Sequence, residues 1–323
     1  MILTITLNPS MDYNYLVSSL TLDQVNRVEN PHTSIGGKGI NAGRVIAQSG
    51  EKVILTGILG GPVGQNILDT LIGEDRYQLE FLTVDGNSRN AITIMHDDDI
   101  HTELVERGLY LSKKDDARFF QHLALLLNKY PINVICVSGS VNSDDPNFHG
   151  KLLQFLRERL GNEFPILMDI SGEQLENCLA NPAIRPSFIK PNTHELSELI
   201  GKEIDSLEEI ITILETDLFA EIETIMISCG GDGAIVKHNE TIYNVRIPEV
   251  PIVNTTGCGD STVGGMAYAI SQNFSIEDAI KYAMACGISN AQFETNGTID
   301  KEQLKTFIPD IRLEKIAAVS SKN

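Results

Sequence analysis

The chain has 323 residues, 25 Lys plus Arg against 44 Asp plus Glu, and a formal net charge of −19. So acidic a surface repels a phosphate backbone, since binding without base contacts relies on Lys and Arg displacing counterions, and nucleic acid is excluded as a partner. A site for an anionic metabolite must gather its cations locally or use backbone N–H groups and helix N-termini, while a 42% hydrophobic share supports a large core in one or two domains.

Ile2 to Leu7 is a short β-branched run that predicts a first strand, and Asp12 to Val17 predicts a further extended piece. Gly36-Gly37-Lys38-Gly39-Ile40-Asn41 leads into a predicted helix over 40–49. Three glycines there allow close backbone approach, Lys38 supplies a scarce cation, and Asn41 offers an amide from the first helical turn; the alternative is a tight turn with a solvated lysine. The Walker A pattern is absent. A strand over Val53 to Leu59 and a helix over 65–72 bracket the glycines from Gly57 to Gly64, whose spacing misses G-x-G-x-x-G and so reads as a structural turn.

Arg89 to Val105 breaks the βα rhythm. Ala91 to Met95 and Thr102 to Val105 are strand-like, and the polar stretch His96 to His101 joins them, predicting a hairpin. With Asp12 to Val17 it makes a flap suited to covering a small substrate and excluding water. Its apolar residues Ile92, Ile94 and Leu104 are expected on one face, turned to the substrate cleft or to a second subunit.

Predicted helices over 115–128 and 147–160 flank a strand over Val134 to Val137, and strands over Ile166 to Ile170 and Phe188 to Lys190 follow. This alternation is the pattern of βαβ units on a mainly parallel sheet, with no repeat and no linker, so one compact domain is expected. Lys190-Pro191-Asn192-Thr193-His194-Glu195 then closes a strand and opens a helix over 193–200. Asn192 and Glu195 share a helical face, and either hold Mg²⁺ through water or form a capping pair. A helix over 206–218 precedes the strand Ile225 to Ser228. The loop Ser228-Cys229-Gly230-Gly231-Asp232-Gly233 is poor in side chains, which suits a hairpin turn or a surface under a nucleotide.

Asn254-Thr255-Thr256-Gly257-Cys258-Gly259-Asp260-Ser261 precedes a helical stretch, Thr262 to Ile270. Small residues at the start of a helix expose successive N–H groups where the dipole favours an anion. Asp260 in that first turn takes a hydroxyl proton while the N–H groups receive charge from a phosphoryl group in transit; alternatively it is only a cap. Ser275 opens a last helix, with Asp278 at the capping-box position.

The five cysteines are odd in number and form no C-x-x-C pair, which argues against a disulfide framework or a zinc cluster. The histidines lack metal-ligand spacing. No basic residue precedes Arg27, and no apolar stretch approaches the roughly 20 residues that span a bilayer, so a soluble, cytoplasmic protein is expected.

Taken together, the Gly36 to Gly61 region, Asn192-x-x-Glu195 and Asn254 to Ala267 resemble the signatures of the pfkB (ribokinase-like) carbohydrate kinases, over nearly the whole chain. The opening Thr6-Leu7-Asn8-Pro9-Ser10-Met11-Asp12 resembles the branch of tagatose-6-phosphate kinase and 1-phosphofructokinase, and Phe219 to Ser228 with Gly233 to His238 leans to the former. The resemblance implies a three-layer, doubly wound α/β fold with a small β-flap lid. It also implies ATP and Mg²⁺ as cofactors, a sugar-phosphate substrate and a homodimer through the flap. By matching position, it implies that Asp260 is the general base and that Gly257, Cys258 and Gly259 form the anion hole, Cys258 standing where Ala or Ser is usual. Asp12, Gly37 and Asn41 would bind sugar hydroxyls; Lys38, Arg89 and Ser138 would bind the phosphate already on the sugar. Lys190, Asn192, Ser228 and Asn290 would line the nucleotide site together with Gly230, Gly231 and Gly233, and Glu195 would organise Mg²⁺. A non-catalytic sensor need not retain the base, and a dehydrogenase would need the missing dinucleotide fingerprint.

Overall fold

The computed structural model describes residues 1–97 and 100–316. The first part of the chain forms β1 (Ile2–Thr6), β2 (Ser10–Leu16), β3 (His32–Gly36), α1 (Lys38–Ser49), β4 (Val53–Leu59), α2 (Gly61–Glu74) and β5 (Gln78–Thr83). Next come β6 (Arg89–His96), β7 (Ile100–Val105), β8 (Tyr110–Leu111), α3 (Lys113–Lys129), β9 (Val134–Ser138), β10 (Asn142–Ser143) and α4 (Phe148–Leu160). They are followed by β11 (Ile166–Asp169), α5 (Gly172–Leu179), β12 (Phe188–Ile189), α6 (Thr193–Ile200), α7 (Leu207–Leu214) and β13 (Thr224–Ser228). The chain ends in β14 (Ala234–His238), β15 (Thr241–Arg246), α8 (Cys258–Ser271), α9 (Ile276–Asn290), α10 (Lys301–Asp310) and β16 (Arg312–Ile316).

Ten strands make the main sheet, in the order β16-β15-β14-β13-β12-β11-β9-β1-β4-β5. From β13 to β5 neighbours run parallel; β14, β15 and β16 add antiparallel pairs at the other edge. The central strands β1, β4 and β9 are buried at every position, as continuous apolar runs must be when helices cover both faces. Side chains alternate between two cores. Leu3 and Ile5 join Phe119, Leu152 and Ile210 on the side of α3, α4 and α7. Ile2 joins Ile40, Val263 and Ile280 on the side of α1, α8 and α9. This is the expected three-layer, doubly wound α/β fold.

The flap is larger than the predicted hairpin: four strands in the order β3-β2-β6-β7. Strand β2 runs parallel to β6 and antiparallel to β3, a partner that its polar sequence His-Thr-Ser-Ile-Gly concealed. In the connection 96–101, Asp98 and Asp99 lie outside the described residues. Of the two expectations for Ile92, Ile94 and Leu104, the register turns them away from the cleft and leaves the second subunit. Ile92 sits opposite Leu104 and Tyr13, whereas Asp12, Ala91 and Val105 pair across the other face and line the cavity below.

Most predicted helices differ by a few residues at their ends, but the one expected over 206–218 stops at Leu214 and resumes as a 3₁₀ turn over Asp217–Phe219. The turn predicted at Gly57 to Gly64 is the end of β4 and the start of α2, with Pro62 in the first helical turn. Helices α5 and α10 and strands β5, β8, β10, β14, β15 and β16 were not expected.

Candidate active site

The site lies at the C-terminal ends of the parallel strands, where α/β sheets hold ligands. Gly257, at φ 80°, turns the chain into α8, a left-handed conformation that a side chain would strain. The N–H groups of Gly259 and Asp260 fall in the opening turn, where a helix has no internal acceptor for them. Cys258 stands in the same turn with its Sγ 3.8 Å from the Asn254 carbonyl, and burial pushes its thiol pKa up.

Asp260 is 9% exposed, and Asn41 Nδ2 donates to its Oδ2 at 2.8 Å. The two meet because α1 and α8 pack closely: a Cβ on Gly264 of α8 would come within 2.5 Å of the Ala42 carbonyl oxygen. Burial, and then the nearby charge of Asp169, push the Asp260 carboxyl up to about 6, against the opposing pull of Asn41, Lys38 and Lys190. A carboxylate near 6 is a stronger base than an ordinary aspartate and is still mostly ionised at neutral pH.

Asp260, Asn41, Gly37, Lys38 and Gly257 line one cavity of about 810 Å³, roofed by Asp12 and Arg89 of the flap. Ser10 Oγ donates to Asp12 Oδ1 at 2.6 Å, and burial raises the Asp12 carboxyl while Ser10 and Arg89 pull it back. Arg89 Nε donates to the Asn8 carbonyl at 3.1 Å, and its charge faces Asp12. Lys38 answers to other carboxylates: its Nζ lies 3.6 Å from Asp169 Oδ2 and 3.9 Å from Glu195 Oε1. Burial works against the ammonium, but Asp169, Asp260 and Glu195 outweigh it and hold Lys38 above the ordinary lysine value.

Two of the residues expected at the site, Ser138 and Asn290, are buried. Ser138 is 2% exposed, its Oγ is buried without a hydrogen-bond partner, and Gly139 and Ser140 line the cavity in its place. Asn290 is fully buried. Its Oδ1 accepts from Ser261 Oγ at 3.0 Å and from Gly297 N at 2.7 Å, and its Nδ2 donates to the Thr256 carbonyl at 2.9 Å. It braces the turn that carries Gly257.

Beyond Lys38 lie the ends of β12 and β13. Lys190 is buried; a Cβ on Gly259 would come within 2.9 Å of its Nζ, so the ammonium sits against the opening turn of α8. Asn192 bridges to Ser228, and Gly230 to Gly233 form a tight turn between β13 and β14 with Gly231 unobstructed. Asn192 and Glu195 form a full capping box: Asn192 Oδ1 accepts from Glu195 N at 2.8 Å, and Glu195 Oε2 accepts from Asn192 N at 2.9 Å. The cap leaves Glu195 Oε1 facing Lys38.

Among the described residues no group of three or more His, Cys, Asp and Glu could hold a metal ion on its own. Mg²⁺ needs less, since it keeps several waters and takes one or two carboxylates plus phosphate oxygens of a substrate. The outward oxygen of Glu195 suits that coordination, with the ion arriving on a nucleotide.

Sequence reasoning missed Asp169, 3% exposed, which ends β11 beside Lys38 and acts on Asp260. An aspartate ending an apolar strand run was the available signal. Glu103, Gln174 and Asn296 of the cavity carried none, because their neighbours are distant in sequence.

A profile of the pfkB family carbohydrate kinases matches residues 5–301. A Staphylococcus aureus structure, described provisionally as a phosphofructokinase, is similar at 29% identity and a TM-score of 0.80, over 98% of this chain and 100% of that one. A Thermotoga maritima structure, described provisionally as a 1-phosphofructokinase, is similar at 22% identity and a TM-score of 0.85, over 98% and 100%. Escherichia coli phosphofructokinase-2 in complex with fructose-6-phosphate is similar at 22% identity and a TM-score of 0.82, over 96% and 98%. At 22% identity, these last two speak to the fold alone.

Proposed function

The chain belongs to the pfkB family of carbohydrate kinases, which are ATP-dependent, and on that premise we propose that it phosphorylates a ketohexose monophosphate, with tagatose 6-phosphate giving tagatose 1,6-bisphosphate. The observation that carries this reading is Asp260, a buried carboxylate raised to about 6, set on a helix N-terminus within a cavity of metabolite size.

In the proposed mechanism the flap presents the sugar, with Asp12, Asn41 and the Gly37 backbone holding hydroxyls and Arg89 binding the phosphate it already carries. Lys190, Asn192, Ser228 and the Gly230 to Gly233 turn hold the nucleotide. Glu195 would hold Mg²⁺ together with the nucleotide phosphates, and the ion would supply positive charge at the phosphoryl oxygens. Asp260 takes the proton of the attacking hydroxyl. The N–H groups from Gly257 to Asp260 and the Lys38 ammonium receive the charge that spreads over the phosphoryl group. Reading the whole chain as one catalytic unit is part of this proposal.

The alternative acceptor is fructose 1-phosphate, which the opening Thr6 to Asp12 segment admits as well. ADP release measured against a panel of sugar monophosphates separates the two. Asp260→Asn should lower kcat by roughly 10²–10⁴ while sugar and nucleotide binding persist. A near-native kcat would make Asp260 a cap, and no turnover of any sugar phosphate by the unaltered protein would favour a sensor.

A further inference from the structure

Asn41 does not reach Asp260 unassisted. Arg44, one turn further along α1 and 8% exposed, donates from Nη1 to Asn41 Oδ1 at 3.1 Å and to the Ile35 carbonyl of β3 at 3.1 Å. Its far edge is fixed on α2: Nη2 lies 3.0 Å from Glu74 Oε1 and Nε 3.5 Å from Glu74 Oε2, and the Tyr77 hydroxyl donates to the same carboxylate. A polar chain thus runs from Tyr77 through Glu74, Arg44 and Asn41 to Asp260.

We propose that Arg44 is a positioning residue for phosphoryl transfer, acting through Asn41 to hold the Asp260 carboxylate in its working orientation. This rests on the reading of Asp260 as the base. A primary amide has one accepting and one donating end, and a guanidinium only donates. Arg44 therefore secures Oδ1 of Asn41 and obliges Nδ2 to face Asp260. Without it the amide is free to turn over, bringing Oδ1 against a carboxylate oxygen, two acceptors in contact. In the held orientation Oδ2 of Asp260 is engaged and Oδ1 remains to receive the hydroxyl proton.

Asp169 from β11, Lys38 from α1 and Lys190 from the end of β12 also act on Asp260. The charges around the chain's outer end are Glu74 and Arg76, with Asp12 in the field of Arg44. None of these lies between Arg44 and Asn41, so the amide is the link.

Arg44→Met strands Glu74, so it is tested both alone and with Glu74→Gln, which removes both charges and leaves Tyr77 an acceptor. In whichever variant melts cooperatively, kcat should fall about 10-fold or more, KM for ATP should stay within about twofold, and the acid limb of the kcat profile should move to higher pH. In an Asn41→Ala background the same change should add no further loss of kcat. A folded variant with unaltered kcat and acid limb overturns the proposal. So does a loss that multiplies with that of Asn41→Ala, since Arg44 would then act by another route. Asp260→Asn is assayed alongside: if it keeps its turnover the base reading fails, and if it loses turnover while the Arg44 variants do not, only the positioning role fails.

Discussion

Two buried aspartates decide the pH behaviour of the site. On the proposed reading Asp260 serves as a base only when ionised, so kcat should be sustained above about pH 6 and lost as pH falls through that value. Part of the upward shift comes from the like charge of Asp169. Asp169→Asn removes that repulsion, lowers the Asp260 pKa and should carry the acid limb to lower pH; an unmoved limb in the kcat–pH profile would show that Asp260 does not feel Asp169. Arg89 supports a separate prediction. In a protein of charge −19 few cations are available for the sugar's phosphate, and Arg89 faces the cavity beside Asp12. Arg89→Ala should raise KM for the sugar monophosphate well above any change in KM for ATP; steady-state kinetics showing equal effects would assign Arg89 to the nucleotide side or to the scaffold. Asp260 and its glycines were legible in sequence because they are contiguous. Asn290 was not, because the groups that consume its amide come from the loop around Thr256 and from Gly297.

At the scale of elements, the flap is expected to act as a lid. The flap's cavity face bears Asp12, Ala91, Glu103 and Val105 in the spacing of alternate strand residues, so the surface it turns to the cavity is partly polar and partly apolar. A lid of this kind is drawn from the less stable parts of a fold, and ligand contact lowers its opening rate. Hydrogen exchange of β2, β6 and β7 should therefore slow when sugar phosphate is added. Unchanged exchange in a protein that binds the sugar would leave the flap static. Helix α6 is the opposite case: its capping box was readable as a pattern, yet the same two residues were equally readable as metal ligands. The structure satisfies the cap with Asn192 Oδ1 and Glu195 Oε2, and Glu195 Oε1 still faces Lys38.

At the scale of the whole molecule the flap's other face matters. Leu104 is 58% and Ile100 53% exposed there, with Ile92 and Tyr13 in register beside Leu104. A four-stranded sheet with one apolar face uncovered gains by burying it, and the expected partner is a second copy meeting it flap to flap. Sedimentation or light scattering should give a dimer that Leu104→Glu shifts toward monomer without loss of secondary structure; a monomeric unaltered protein would overturn this. No helix among the described residues is long and apolar enough to cross a membrane.

The amino-acid order alone determined the α/β class, the parallel strands β1, β4, β9, β11, β12 and β13 with most of the helices around them, the glycine-rich start of α8 and the place of Asp260. Each depends on periodicity or on residues adjacent in the chain. Tertiary structure alone decided that β3, β5, β14, β15 and β16 are strands, which face of the flap looks into the cavity, that Asp169 and Asn41 act on Asp260, and that Asn290 is bonded to the turn around Gly257. These are matters of strand register and of close helix packing between α1 and α8, contacts between segments some two hundred residues apart, as in the Asn41 to Asp260 bond with its separation of 219. Local pattern carries no record of such pairings, because the same asparagine is satisfied equally well by a ligand, a carboxylate or a loop carbonyl until the fold fixes which one is within reach.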